Sequence, residues 1–276
     1  MATSAARRRP SRVRSAGRRG TGSTVLRTLA RIGLAVRGIM YVIIGWLAVR
    51  IAFGNSRQQA DRTGALHEVA GTPAGQLLLW VIVVGFAGLA LWRLAEAAAR
   101  SAAKPASRLA SLGRAVIYGV IAFGTIKYVL GLGAPQSSNQ QSVDLTAAAL
   151  KYPAGRAIVV VAGLVLIGGG LYLAYQAWRR EFRKDLQTTR MTARTRKAVE
   201  WLGVAGGIAR GIVFVTAGIF LIIAAVRSQP QQAKGIDSAL RALAATPLGP
   251  WLLVLVAIGL IMFGAYSCCQ ARWFRD

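Results

Sequence analysis

The chain has 276 residues, 54% hydrophobic and 16% charged, with 35 Lys and Arg against 9 Asp and Glu for a formal charge of +26. One His, two Cys and scarce carboxylates leave too few groups for general acid–base work or a usual zinc site, which argues against an enzyme or a metalloprotein. The apolar residues come in blocks long enough to cross a bilayer, so the expected class is an all-α integral membrane protein.

Residues 1–26 read as a disordered basic cytoplasmic tail, because 1–24 are Arg, Ser, Gly, Thr and Ala with almost nothing to bury. The tail is expected to set topology and hold anionic lipid rather than to dock a partner. Arg7, Arg8 and Arg9 are similar to a twin-arginine signal, but the first apolar run starts too late and no small-residue cleavage site follows it. Six apolar runs then follow, at roughly 36–53, 76–95, 112–132, 155–178, 208–226 and 250–271. About 20 helical residues cover a ~30 Å hydrocarbon core, and in lipid each backbone polar group must be satisfied within its own segment, so each run is predicted to be a helix.

Amphipathic segments lead into the odd runs. Leu26, Leu29, Ile32 and Val36 stand against Arg27 and Arg31, and Val199, Trp201 and Leu202 against Arg196, Lys197 and Glu200. Such segments are expected to lie along the headgroups before turning inward. Arg37, Arg114 and Arg210 open the odd runs, and Pro73, Pro153 and Pro247 follow 36 to 39 residues later, each with Gly two residues on. That spacing defines a two-helix unit repeated three times: 27–103, 104–185 and 186–276. Each unit crosses twice, so a bundle with a pseudo-threefold axis along the membrane normal is the natural arrangement.

A short helix is predicted before each Pro-x-Gly, at Gly64-Ala-Leu-His-Glu-Val, Asp144-Leu-Thr-Ala-Ala-Ala-Leu and Asp237-Ser-Ala-Leu-Arg-Ala-Leu. Asp144 and Asp237 are candidate N-caps, and the first repeat has no matching Asp. Gln136 to Ser142 reads as a flexible polar linker.

With the N-terminus inside, 26 Lys and Arg fall on inner segments and 9 on outer ones, with no violation of the alternation. The positive-inside rule therefore puts both termini in the cytoplasm. The same rule accounts for most of the charge, and the basic segments lack interleaved aromatics, so nucleic acid is not an expected partner. Trp80 and Trp251 fall at outer helix ends, and Trp92, Trp178, Trp201 and Trp273 at inner ends, as interfacial anchors do; Trp46 is deeper.

Arg37, Arg114 and Arg210, with Glu96, Gln176 and Gln270 at the inner ends of the even runs, form a predicted inner-leaflet polar ring. If each hairpin packs its own two helices, each Arg faces the Glu or Gln of its own repeat. The ring is expected to be a structural joint first, and alternatively a site for a lipid phosphate or a small anion. Lys127 occupies the position of Arg50 and is expected to snorkel outward. Gly168-Gly169-Gly170 and the Gly203, Gly207, Gly211 face are read as close-packing surfaces. His67 is expected to be solvated, and Cys268 and Cys269 to be small fillers. No catalytic residue, cofactor or metal ligand is found.

Ala209-Arg-Gly-x-x-Phe214, Arg37-Gly38-Ile-Met-Tyr41 and Arg114-Ala-Val-Ile-Tyr118 resemble a repeated motif of domain-of-unknown-function family 1206. So do Gly64-Ala-Leu, Pro73-Ala-Gly75, Leu91-Trp92-Arg93, Phe182-Arg-Lys-Asp185-Leu and Gly203-x-x-Gly206. The resemblance covers about 27–276 and implies a three-repeat, six-helix protein of the bacterial plasma membrane, without an activity to carry over. Ala115 stands where the other two motifs have Gly38 and Gly211, a departure from the pattern at that joint. The resulting expectation is a non-enzymatic accessory or lipid-interacting protein whose partners are the bilayer, anionic headgroups and an unidentified protein. The alternative is a small transporter or channel with its path along the pseudo-threefold axis.

Overall fold

A computed structural model describes residues 16–54, 59–99, 105–133, 136–187, 191–244 and 249–273. Among these, nine α-helices follow one another: α1 Ala16–Ala52, α2 Arg62–Ala70, α3 Gly75–Ala99, α4 Pro105–Val129, α5 Ser138–Leu150, α6 Gly155–Trp178, α7 Ala193–Val226, α8 Ile236–Ala244 and α9 Gly249–Arg272. Six of them, α1, α3, α4, α6, α7 and α9, are long and apolar enough to cross a membrane, and they coincide with the six predicted runs. The three short helices α2, α5 and α8 precede α3, α6 and α9, as the spacing predicts.

Two expectations about the entry segments are corrected. Residues 16–24 are the first turns of α1 rather than disordered chain, while residues 1–15 lie outside the described part. Extending an existing helix costs far less than nucleating one, so α1 continues backward through a weak sequence. Nor do the amphipathic segments turn: α1 and α7 run continuously for 37 and 34 residues. At 1.5 Å per residue, each is about 50 Å or more long and projects well beyond a ~30 Å core. Thr192 caps α7 by accepting from the Thr195 N–H at 3.3 Å.

The turns between short and long helices explain the Pro-x-Gly motif. The Gly75 N–H donates to Thr72 O at 2.8 Å, and the Gly155 N–H to Tyr152 O at 2.9 Å. A Cβ on Gly155 would lie 1.8 Å from Ala149 O, and one on Gly75 would lie 2.5 Å from Ala70 O. The chain reverses too tightly for any side chain there. Pro247 lies outside the described residues.

The predicted caps are also corrected. Asp61 caps α2, accepting from Gly64 N at 3.0 Å, so the first repeat does have its acidic cap. Ser137, not Asp144, caps α5, and the predicted linker around Gln136 to Ser142 is mostly the first turns of that helix. Asp144 instead accepts from Gln136 Nε2 and Gln140 Nε2. Asp237 sits inside the first turn of α8 and accepts from Arg241 Nε at 3.0 Å.

These residues tie the three connecting segments into one network. Asp61, fully buried, accepts from both N and Oγ of Ser138, each at 2.8 Å. Ser138 Oγ accepts from Ile236 N at 3.2 Å, and Asp237 accepts from Ala60 N at 2.8 Å. First, second and third segments thus connect in a closed cycle, over a core that includes Leu47, Ala60, Leu66, Leu240 and Leu253.

Among the spanning helices, each odd one packs most extensively on the even helix of the preceding repeat: α4 on α3, α7 on α6 and α1 on α9. Glycines make two of these contacts close. Cβ atoms on Gly38 and Gly264 would meet each other's carbonyl oxygens at 2.7 and 2.6 Å, and those on Gly170 and Gly211 at 2.7 and 2.6 Å. The expected Gly203, Gly207, Gly211 face divides: Gly207 and Gly211 meet α6, while Gly203 meets Phe182. Gly170 packs, but Gly168 and Gly169 face open space. Within repeats, α1 packs on α3 and α7 on α9, yet α4 and α6 share no packed interface. The second repeat is therefore open between its two long helices.

Candidate functional site

Arginines at the head of apolar helices must find partners or water, because an unpaired buried guanidinium N–H costs the full desolvation of that donor. Arg37 on α1 finds three. Its Nη2 donates to Gln270 Oε1 at 2.9 Å and to Ser267 Oγ at 3.2 Å on α9, and its Nη1 donates to Tyr118 Oη at 3.3 Å on α4. The partner is thus the Gln of the third repeat and not Glu96 of its own hairpin, because α1 packs so closely on α9 through Gly38 and Gly264.

Glu96 is used elsewhere in the same region. It accepts from Arg93 Nη1 at 2.6 Å, one turn earlier on α3, and from Ser111 Oγ at 3.2 Å on α4. Arg210 on α7 is held by rings: its guanidinium carbon lies 5.0 Å from the Phe263 centroid, 5.5 Å from Phe214 and 5.9 Å from Tyr41. Arg37 lies 5.4 Å from the same Phe263 ring, which also meets Tyr41 edge-on at 4.8 Å. Cation–π contacts of this kind contribute about 2 kcal/mol when desolvated.

Arg114 on α4 is different. It lies within electrostatic range of Arg93, Glu96, Tyr118 and Arg210, yet makes no hydrogen bond or ion pair among the described residues. Its side chain is exposed, on a helix whose neighbour across the repeat, α6, stands apart. Gln176 does not join the group: half-buried on α6, it donates to Tyr172 Oη at 2.8 Å one turn back. The face that α6 gives to α7 runs through Val159, Gly163, Gly170 and Ala177, which turns Gln176 aside.

Five of the six predicted ring residues therefore share one end of the bundle, and the pair that bonds directly, Arg37 with Gln270, joins two repeats rather than one hairpin. Tyr118, Ser267, Phe263, Tyr41, Arg93 and Ser111 complete the site. A signal for two of them was present, since Tyr41 and Tyr118 each follow the motif Arg by four residues. Four guanidinium groups, of Arg37, Arg93, Arg114 and Arg210, gather around Tyr118 with Glu96 as the carboxylate beside Arg93 and Arg114, and the buried Nε atoms of Arg37, Arg93 and Arg210 have no hydrogen-bond partner. Such an arrangement can hold a phosphate or carboxylate, because planar guanidinium forks match those oxygens and gain most where water is scarce.

Other singled-out residues have plainer places. His67 is exposed as expected, with Nδ1 3.2 Å from Tyr128 Oη. Lys127 is exposed in the last turn of α4. Cys268 and Cys269 are free thiols, Cys268 directed at Ala35 O at 3.9 Å between α9 and α1.

Comparison with known proteins gives three findings. The family model described as Domain of Unknown Function (DUF1206) matches three segments, 32–100, 109–180 and 205–273, one in each repeat. An uncharacterized protein of Bacillus subtilis (strain 168), YxxB, is 30% identical over 248 residues, covering 88% of this chain and 89% of that one. No solved structure matches the chain.

Proposed function

Because the chain belongs to the Domain of Unknown Function (DUF1206) family, which carries no activity of its own to transfer, we propose a role from its side chains: a non-enzymatic, lipid-interacting protein of the bacterial plasma membrane. Both termini lie in the cytoplasm in this reading, which rests on the 26 to 9 distribution of Lys and Arg. The three repeats stand around a pseudo-threefold axis along the membrane normal, supported by the recurring odd-on-preceding-even packing and interrupted between α4 and α6.

The arginine cluster then sits at inner-leaflet depth, with its unpaired donors beside the gap. One observation carries the reading: Arg114, without a hydrogen bond among the described residues, stands on the helix that borders the opening. The phosphate of an anionic phospholipid reaching in from the leaflet satisfies Arg114 and the free edge of Arg210. A lipid chain lies against the uncovered apolar surface of α4, where Val116, Val120 and Phe123 are exposed.

The test is native mass spectrometry of the protein released from phosphatidylglycerol nanodiscs. Wild type retains the lipid, and Arg114→Gln combined with Arg210→Gln weakens retention by ten- to a hundredfold, the factor expected for losing a charge-assisted hydrogen bond worth about 1.5–3 kcal/mol. Equal retention by both proteins sinks the site.

The pore reading draws less support, because Arg37, Tyr118, Ser267 and Gln270 bond across the bundle end that a path would have to leave by. Cysteines placed along α1, α4 and α7 are expected to resist a membrane-impermeant thiol reagent at mid-span. Labelling along a continuous line on all three helices would restore the transporter.

A further inference from the structure

A second basic site lies away from the arginine cluster, where α6 ends and α7 begins. Arg180 adopts a left-handed backbone, φ 55°, and so turns the chain sharply out of α6 into a short 3-10 helix at Glu181–Asp185. The turn is anchored. Phe182 fills the space over Gly203, where a Cβ would lie 2.6 Å from its Cζ, and meets Tyr266 edge-on at 5.1 Å. Leu186 is buried, and Gln187 N donates to Trp273 O at 3.0 Å. This fixed turn faces the first turns of α7 across a cavity of about 600 Å³, lined by Trp178, Arg180, Arg183, Arg196, Lys197, Glu200, Trp201 and Val204.

Glu200 organises the cavity. Its carboxylate is buried and holds Arg183 in a close ion pair, Arg180 at 3.5 Å and Arg196 at 4.0 Å. Three arginines thus share one carboxylate, and with Lys197 the cavity lining carries four cations against that single acid. Lys197 has no polar partner among the described residues, and Arg196 stands too far from Glu200 for a hydrogen bond. The arginine cost of being drawn together is borne by Glu200 in the absence of a ligand, so the site is preorganised for an anion.

Two tryptophans frame it. Trp178 is 72% and Trp201 69% exposed, one at the last turn of α6 and one near the start of α7. Indole rings exposed at a helix end settle at headgroup level, which sets the cavity at the membrane surface rather than in open solvent. Cations exposed beside interfacial tryptophans, in a cavity larger than one phosphate fills, match a headgroup with more than one charge.

We propose that this cavity binds the headgroup of a phospholipid carrying two phosphates. The phosphates take the free donors of Arg196 and Lys197 and the outer faces of Arg180 and Arg183. Trp178 and Trp201 cover the glycerol backbone on either side. The proposal uses none of the residues of the arginine cluster around Arg114, so each can fail without the other.

The experiment compares phosphatidylcholine nanodiscs doped with cardiolipin or with phosphatidylglycerol at equal total charge, scored by native mass spectrometry. Wild type retains cardiolipin in preference to phosphatidylglycerol. Lys197→Gln, a change to an exposed side chain, lowers that retention roughly fivefold, as expected for removing one surface cation. Arg196→Gln does the same, while Lys127→Gln, an exposed cation in the last turn of α4 at the opposite end of the bundle, leaves it unchanged. Equal retention of the two lipids, or of cardiolipin by wild type and an Arg196→Gln, Lys197→Gln double variant, overturns the proposal. So does binding of inorganic pyrophosphate in lipid-free detergent that displaces cardiolipin at comparable concentration, since the ligand would then be a soluble anion.

Discussion

Replacing Asp61 with Ala is expected to destabilise the protein by about 3 kcal/mol and to loosen all three connecting segments at once. The fully buried carboxylate accepts from Gly64 N, Ser138 N and Ser138 Oγ, at 3.0, 2.8 and 2.8 Å. Loss of an N-cap alone costs about 1 kcal/mol, and each buried donor left unsatisfied adds roughly 1–3 kcal/mol, less whatever water or a rotated Ser138 hydroxyl recovers. For a chain of this size a change of that magnitude lowers the melting temperature by about 10 °C. The check is thermal unfolding in detergent, joined to hydrogen exchange. Faster exchange is expected at the start of α5 and also at the start of α8, since Ile236 N depends on the same Ser138 hydroxyl. Asp61→Asn is the sharper variant: it keeps size and one oxygen, but must turn an NH2 group towards a donor. Faster exchange confined to α2 would mean that the cycle is not cooperative. An unchanged melting temperature would mean that Leu66, Leu240 and Leu253 hold the segments by apolar packing alone.

That network also marks where sequence reasoning reached its limit. The six spans were legible because lipid imposes length and hydropathy on each run separately, and the three short helices because Pro-x-Gly ends every one. Neither signal concerns partners. Asp61 stands three residues before Gly64, a spacing that suits an N-cap, yet alignment of the loop motifs at Asp144 and Asp237 draws attention away from it. The second segment begins its helix earlier, at Ser138, so Asp144 falls mid-helix although it occupies the analogous place in the sequence. Arg37 shows the same limit at the other end of the bundle. Its distance along the chain from Glu96 is within one residue of that of Arg210 from Gln270, but helix order around the bundle decides contact, and α9 is the neighbour that approaches within glycine distance. The gap between α4 and α6 could not be read from hydropathy, because both helices are long and apolar enough to span whatever they pack against, although α4 is the least apolar of the six.

The gap and the unpaired arginine belong together physically. Around Arg37 and Arg210 the cross-repeat contacts are made with Tyr118 and Tyr41, the aromatic residues that follow the next motif Arg by four. The corresponding partner for Arg114 would be Phe214, and among the described residues that contact is not made; Phe214 lies instead beside Arg210. An unmet cation at the one unpacked joint is the feature on which the proposed lipid site rests.

Gly264→Leu is expected to disrupt that end of the bundle more than any surface change. A Cβ at this position would already lie 2.6 Å from Gly38 O and 2.7 Å from Val42 Cγ2, before the rest of a leucine side chain is placed. A backbone oxygen inside a helix cannot swing aside as a side chain can, so α1 and α9 must separate. Overpacking of a close joint costs about 1–3 kcal/mol even where neighbours can shift, and the upper end or beyond is expected here. Separation has a second consequence, because Ser267 and Gln270 stand within two turns of Gly264 and Arg37 adjoins Gly38. Their hydrogen bonds at 3.2 and 2.9 Å fail as soon as the helices part by an ångström. Arg37 would then be left with the more distant Tyr118 hydroxyl and the Phe263 ring. Loss of thermal stability and loss of retained phosphatidylglycerol should therefore appear together. Gly168→Leu is the matched control: it adds the same side chain to a spanning helix, but a Cβ there meets nothing within 4 Å. Near-wild-type melting for Gly168→Leu beside a large drop for Gly264→Leu assigns the effect to the joint. Equal drops in both would mean that leucine disturbs the glycine-bearing helices themselves, and the close approach of α1 to α9 would lose its place as the element that positions Arg37.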